Sequence, residues 1–238
     1  MNNLIIDVKA LNAHYGLGHV LQDLSLHVGK ECVAVMGRNG VGKTTLARSL
    51  VGLNPPQASG SVELLGHEVI GLPPYRIAQL GVGYVPQGRR LFPSLSVDEH
   101  LQLSARRGPA GNSWSPASIY ELFPSLGKRR SAYGDQLSGG ERSMLAIARA
   151  LVTNPGCLIL DEPTEGLAPS VVEDVALSLK KLSGEGVAVL LIEQNVKAAV
   201  MAASRAYYMA DGQIAHETEP GAPVADEATL NRYLGVSI

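Results

Sequence analysis

From Cys32 onward the chain reads as an apolar run to Met36, then the spacing G-x-x-x-x-G-K-T from Gly37 to Thr44, then a helical pattern. This order constrains the fold more than any other stretch. Gly37, Gly40 and Gly42 let the backbone turn tightly with its N–H groups pointing inward, and the N-terminus of the following helix adds fixed partial positive charge. Arg38, Asn39, Gly40, Val41 and Gly42 are therefore read as a cradle for polyphosphate. Lys43 supplies a point charge for the β- and γ-phosphates, and the Thr44 hydroxyl is placed to ligate Mg²⁺. The plainer alternative, a flexible glycine-rich turn with a surface lysine, leaves the flanking strand and helix unexplained.

A second site reads from Cys157-Leu158-Ile159-Leu160-Asp161-Glu162, a short apolar strand that ends in adjacent acids. Consecutive side chains at a strand end point in different directions. Asp161 is assigned to Mg²⁺, which keeps several waters and takes few protein carboxylates. Glu162 is assigned as the general base for an attacking water. A helix cap or plain surface pair is the competing reading.

Composition bounds the rest. The chain has 238 residues, 45% hydrophobic, with a formal net charge of −2, which suits one α/β domain with a sizeable core and a subdomain. Basic and acidic residues nearly balance, and the short cluster Lys128-Arg129-Arg130 is a solvated helix end, so bulk charge does not point to nucleic acid. Cys32 and Cys157 each lie in an apolar run and read as small core residues, and the scattered histidines have no ligand spacing. The first residues lack a basic region and a long apolar core, and the apolar run Val187 to Ile192 is too short to cross a bilayer. A cytoplasmic chain is expected, unless a partner holds it at a membrane.

Taken in order, two strands are expected at Leu4 to Ala10 and Asp23 to His27, with Tyr15-Gly16-Leu17-Gly18 as a turn. Tyr15 reads equally well as a half-buried turn aromatic or as a site residue. A helix is expected over Thr44 to Leu53, a hairpin strand over Gly60 to Gly66, a short helix after Pro73-Pro74, and a strand at Gly83 to Gln87. Gly88 to Tyr133 changes to helical patterns, Val97 to Leu103 and Ile119 to Leu126, joined by a link around Gly108 to Pro116. Helices at Met144 to Leu151 and Val171 to Leu182, a buried strand at Val187 to Ile192, and a tail of two strands and the helix Glu227 to Leu234 complete a doubly wound α/β pattern.

With these residues in place, the chain resembles the nucleotide-binding subunit of an ATP-binding cassette (ABC) transporter over essentially its whole length. Leu137-Ser138-Gly139-Gly140-Glu141 looks like that family's signature, a serine hydroxyl and glycine N–H groups opening a helix, suited to grip a γ-phosphate. The resemblance implies an α/β P-loop NTPase core of RecA-like type with an N-terminal antiparallel β subdomain and an inserted α-helical subdomain. In those terms 1–87 and 137–238 form the nucleotide-binding core and 88–136 the helical insertion.

It further implies that ATP is hydrolysed with Mg²⁺ in a sandwich of two chains, where Ser138, Gly139, Gly140 and Glu141 of one close over the nucleotide of the other. Tyr15 resembles the aromatic that stacks on adenine, Thr45 the residue beside the α-phosphate, and Gln87 the glutamine that meets both Mg²⁺ and the membrane partner. Two positions depart from the common pattern. Gln194 stands where many members have a histidine, and Ala168 where many have an aspartate. Gln194 is read as a neutral donor to the γ-phosphate or water, against a simple strand-end cap.

The stretches Gly37 to Gly42, Gly83 to Pro93, Glu165 to Pro169 and Glu193-Gln194-Asn195 are similar to the smaller ATPase subunit of bacterial importers for branched-chain amino acids, or of their urea and short-amide relatives. Implied partners are transmembrane permease subunits, a second ATPase subunit of the same or a different kind, and, indirectly, a periplasmic binding protein. The implied location is the inner face of the cell membrane. A cassette ATPase acting on DNA or ribosomes usually carries two cassettes or a long coiled coil, and a simple P-loop kinase or GTPase has no need of Leu137 to Glu141.

One outcome follows from the cradle alone. Lys43→Ala removes the charge partner of the γ-phosphate and leaves only dipoles, so tight ATP binding is expected to be lost in a nucleotide titration. Parent-like affinity would overturn the cradle.

Overall fold

Cys32, Ala34 and Met36 face one hydrophobic core and Val33 and Val35 face another, so the strand before the cradle is buried on both sides. The computed structural model describes residues 4–105, 114–222 and 225–235. Its strands are β1 (Ile6–Tyr15), β2 (Gly18–Val28), β3 (Cys32–Met36), β4 (Gln57–Leu64), β5 (His67–Glu68), β6 (Val82–Val85), β7 (Cys157–Asp161), β8 (Ala188–Glu193), β9 (Arg205–Ala210) and β10 (Gln213–Glu217). The helices are α1 (Lys43–Leu50), α2 (Pro74–Gln79), α3 (Val97–Ser104), α4 (Pro116–Leu122), α5 (Pro124–Gly127), α6 (Gly139–Leu151), α7 (Pro169–Gly184), α8 (Val196–Ala202) and α9 (Glu227–Leu234).

The larger sheet runs β10-β9-β3-β8-β7-β6, parallel except for the edge strand β10. One face packs on α6, α7, α8 and α9, and the other on α1 and the antiparallel sheet β2-β1-β4-β5. This is the expected α/β core with an antiparallel β sheet built from the N-terminal part. Coverage on both faces explains why β3 is apolar throughout, and β7 and β8 are apolar up to their last residues, Asp161 and Glu193, rather than alternating. Cys32 and Cys157 belong to different cores, and burial pushes both thiols up to about 12.

Several elements differ from the sequence reading, each for a local reason. The first two strands run on to Tyr15 and start already at Gly18, because bulges at the left-handed residues Ala10 (φ 47°) and Asp23 (φ 48°) absorb the break in alternation. The first helix stops at Leu50 because Gly52 takes φ 69°. The expected helix Ile119 to Leu126 is two, since Pro124 forces Phe123 out of the helical region (φ −123°, ψ 78°). The helix expected from Met144 begins at Gly139, where Ser138 and Glu141 form a capping box. Helix α8, capped by Asn195, was not expected. The link around Gly108 to Pro116 lies largely outside the described residues.

Helix α7 starts without a side-chain cap, although it is the longest helix among the described residues. Its N-cap is Ala168 (φ −65°, ψ 149°), which has no side-chain acceptor. An acid there would accept from the first turn and oppose the helix dipole, a gain of about 1 kcal/mol. Ala168→Asp is expected to raise Tm by about 2–4 °C in thermal unfolding of the nucleotide-free chain; no rise would show that the loop geometry refuses the cap.

Candidate active site

Strands β3, β8, β7 and β6 lie side by side, and the loops at their C-terminal ends carry Lys43, Gln194, Glu162 and Gln87 respectively. Open parallel sheets gather ligands at that edge. The cradle glycines are fixed by space as well as by turn. A Cβ on Gly37 would stand 2.8 Å from Met209 O and from Val41 Cγ2, while Gly42 has φ 107° and Leu21 Cδ2 2.9 Å away.

Lys43 is 4% exposed. Its Nζ donates to the carbonyls of Gly37 (2.9 Å) and Arg38 (3.1 Å) and pairs with Glu162 Oε1 at 3.1 Å. The ammonium is held at the floor of a 310 Å³ cavity that Asn39, Gly40, Gly42, Thr44, Thr45, Gln87 and Glu162 also line. Arg38 contributes its carbonyl only; its guanidinium turns away and donates to Asn231 O (3.4 Å) of α9. Tyr15 sits 39% exposed at the end of β1 and does not line this cavity, where the hairpin is represented by Val20.

Glu162 has φ 49°, a left-handed conformation that separates its side chain from that of Asp161. Its Oε2 accepts from Gln87 Nε2 (3.2 Å), which also donates to Glu165 Oε2 (3.0 Å). The Glu165 carbonyl in turn accepts from Arg89 Nη2 (2.7 Å). Gln194 is exposed on an adjoining 400 Å³ cavity shared with Asn39, Gln87 and Glu162. The carboxylate behind it, Glu193, is 2% exposed and pushed upward by burial. Neither Glu165 nor Glu193 was singled out from the sequence. A charge ending an apolar strand, the signal that marked Asp161, marks Glu193 as well.

Ser138 and Glu141 are engaged with each other: Ser138 N donates to Glu141 Oε2 (2.8 Å) and Glu141 N to Ser138 Oγ (3.3 Å). A Cβ on Gly140 would stand 2.5 Å from Val171 Cγ1, so α6 starts hard against α7. None of the residues Ser138 to Glu141 lines either cavity at Lys43.

A family model described as ABC transporter matches residues 21–165, and the high-affinity branched-chain amino acid transport ATP-binding protein BraG of Pseudomonas aeruginosa is 38% identical over 97% of this chain and 100% of that protein. The chain belongs to the ABC transporter family. It is an ABC ATPase, a member of a family that hydrolyses ATP in the service of transport. The lipopolysaccharide export system ATP-binding protein LptB of Haemophilus influenzae is 35% identical, covering 97% of each chain. A solved dimeric post-hydrolysis state of an ATP-binding cassette bound to ADP and phosphate matches with TM-score 0.77 at 25% identity, over 91% of this chain and 98% of that one.

The residues of this cassette fit a magnesium ion. Asp161 is fully buried; its Oδ1 accepts from Thr44 Oγ1 (3.3 Å), and Oδ2 has no hydrogen-bond partner among the described residues. A carboxylate beside a hydroxyl offers the hard oxygens Mg²⁺ takes. Burial pushes the Asp161 carboxyl up to about 6; the Thr44 hydrogen bond and Lys43 oppose this, and Glu162 and Glu165 add to it.

With its folded pKa above the unfolded value, Asp161 contributes stability below the ordinary carboxylate range, and that contribution is lost as pH rises through 6. At neutral pH the charged group costs up to about 3 kcal/mol in the nucleotide-free chain. Asp161→Asn is expected to raise the urea midpoint at neutral pH, with the gain shrinking as pH falls toward about 4, and to weaken Mg²⁺-dependent ATP binding. A neutral-pH midpoint equal to the parent's would contradict this account of the carboxylate.

Proposed function

We propose that this chain is the ATP-hydrolysing subunit of an importer for branched-chain amino acids. The observation that carries the reading is its 38% identity to BraG across the full length of that relative. A branched-chain amino acid transport ATP-binding protein LivF of Archaeoglobus fulgidus, also 38% identical and matched over 88% of its length, supports it.

In this reading the cradle N–H groups and Lys43 bind the β- and γ-phosphates, with Thr45 beside the α-phosphate and Tyr15 and Val20 toward the base. Thr44, Asp161 and Gln87 would hold Mg²⁺, which supplies charge neutralisation on the phosphates when bound. Arriving phosphate oxygens compete with Glu162 for the Lys43 ammonium. Released from that ion pair, the Glu162 carboxylate takes the proton of the attacking water, while the Gln194 amide donates a hydrogen bond without ever becoming charged. The stretch Ser138 to Glu141, remote from its own cradle, is available to the nucleotide of a second cassette.

The helical piece 88–136 then receives the membrane subunits. A 730 Å³ groove between α2, β6, α3 and α6 offers apolar side chains, among them Phe92 (53% exposed) and Leu103 (68% exposed). Arg89, at the edge of that piece, reaches the Glu165 carbonyl beside the site. Exposed apolar residues in a formed groove suit a docked protein segment.

Reconstitution with the membrane subunits and binding protein tests the assignment. Leucine-loaded binding protein is expected to raise ATP turnover, and Glu162→Gln to bind Mg-ATP, persist as a dimer and hydrolyse at least about a hundredfold more slowly. Stimulation by urea or a short amide instead of leucine would transfer the chain to that importer class. Assembly only with lipopolysaccharide export subunits would replace import altogether.

A further inference from the structure

Glu193 is a carboxylate at the end of an otherwise apolar buried strand, with no cation among its hydrogen-bond partners. Its Oε1 accepts from Thr164 N (3.0 Å) and Thr164 Oγ1 (2.6 Å), and its Oε2 from Gln194 N (3.0 Å) and Asn195 N (3.1 Å). One oxygen thus serves the loop that follows Glu162, and the other serves the loop that carries Gln194. Both loops line the same 400 Å³ cavity.

A buried carboxylate is expensive to keep, and an apolar residue would fill the position without that cost. Starting α8 does not require it, because the Asn195 side chain already accepts from Ala198 N (3.2 Å). The strand ladder itself ends with Glu162 N donating to Ile192 O (2.9 Å), and what the carboxylate adds is a side-chain bridge one step further on, from the end of β8 to Thr164 in the loop beyond Glu162.

Resting on the reading of Glu162 and Gln194 given above, we propose that Glu193 is a positioning residue. It locks the loop of the general base to the loop of the γ-phosphate donor, so that both meet one water and one phosphate at a fixed separation. Glu193 touches no substrate. It acts through the Thr164 and Gln194 backbones, and Thr164 is its partner in the lock.

The test is steady-state ATP hydrolysis and ATP affinity of the full chain. Glu193→Gln, which turns an amide N–H₂ toward backbone donors, is expected to lower kcat about ten- to a hundredfold with KM and ATP affinity changed less than about threefold, because misplacing a group by about an ångström costs that much in rate. In the Gln194→Ala background the same substitution is expected to lower kcat by no more than about twofold further, since residues acting as one unit are not additive. Thr164→Ala is expected to reproduce the kcat loss and Thr164→Ser, which keeps the hydroxyl, to restore it; this pair holds the test open should Glu193→Gln fail to fold.

Parental kcat in Glu193→Gln, or losses that multiply fully with Gln194→Ala, would overturn the positioning role while leaving the site intact. Parental turnover in Glu162→Gln or Gln194→Ala alone would instead overturn the site reading, and the positioning role with it.

Discussion

Lys43 carries a full charge at 4% exposure, and the oxygens around it decide what the site can do. Two of its partners, the carbonyls of Gly37 and Arg38, belong to the cradle itself and fix the direction of the ammonium. The third, Glu162, is an anion that neutralises it. A buried ion left unpaired is strongly destabilising, and Glu162 supplies the counter-ion. The same carboxylate that is proposed to accept the water's proton thus pairs with the ammonium proposed to meet phosphate, so the two proposed roles are joined by one ion pair.

From Glu162 the contacts run outward through hydrogen bonds. Gln87 bridges Glu162 and Glu165, and Arg89 reaches the Glu165 carbonyl while its Nε donates to Ser143 Oγ (2.7 Å) on α6. The glutamine and arginine flank the entrance to the helical piece 88–136. These bonds tie Glu162 through Gln87, Glu165 and Arg89 to Ser143 near the start of α6.

The core strands were legible because a strand covered on both faces must be apolar along its buried length, and β3, β7 and β8 are so up to the acids that end β7 and β8. The stretch Gly37 to Thr44 was legible as a strand-to-helix turn, since β3 precedes it and α1 follows it as its spacing requires. The N-terminal sheet was misread where Ala10 and Asp23 take left-handed conformations, since a bulge breaks the alternation by which a strand is recognised. Phe123 likewise hid a helix break, for the cue was the following proline rather than any loss of apolar period. Glu165 and Glu193 escaped notice for a different reason. Their importance lies in which loops they join, and that is a property of strand order, β3-β8-β7-β6, which local pattern does not reveal.

The costly features of the molecule cluster at one edge of one sheet. Asp161 is buried with Oδ2 unpartnered among the described residues, Lys43 and Glu193 are buried ionisable groups, and Glu162 holds a left-handed backbone. Each opposes folding, and such features persist only where the surroundings over-determine them. Here the surroundings are β3, β7 and β8, hydrogen-bonded in parallel register from Cys32 to Met36 and from Cys157 to Asp161 and sealed by a core on either face. Because a one-residue slip would exchange the side chains of two differently shaped cores and shift Asp161 and Glu193 along the ladder, the strand ends stand at fixed spacing. The stability of the apolar interior is thus what holds Lys43, Asp161, Glu162 and Glu193 together at one edge of the sheet.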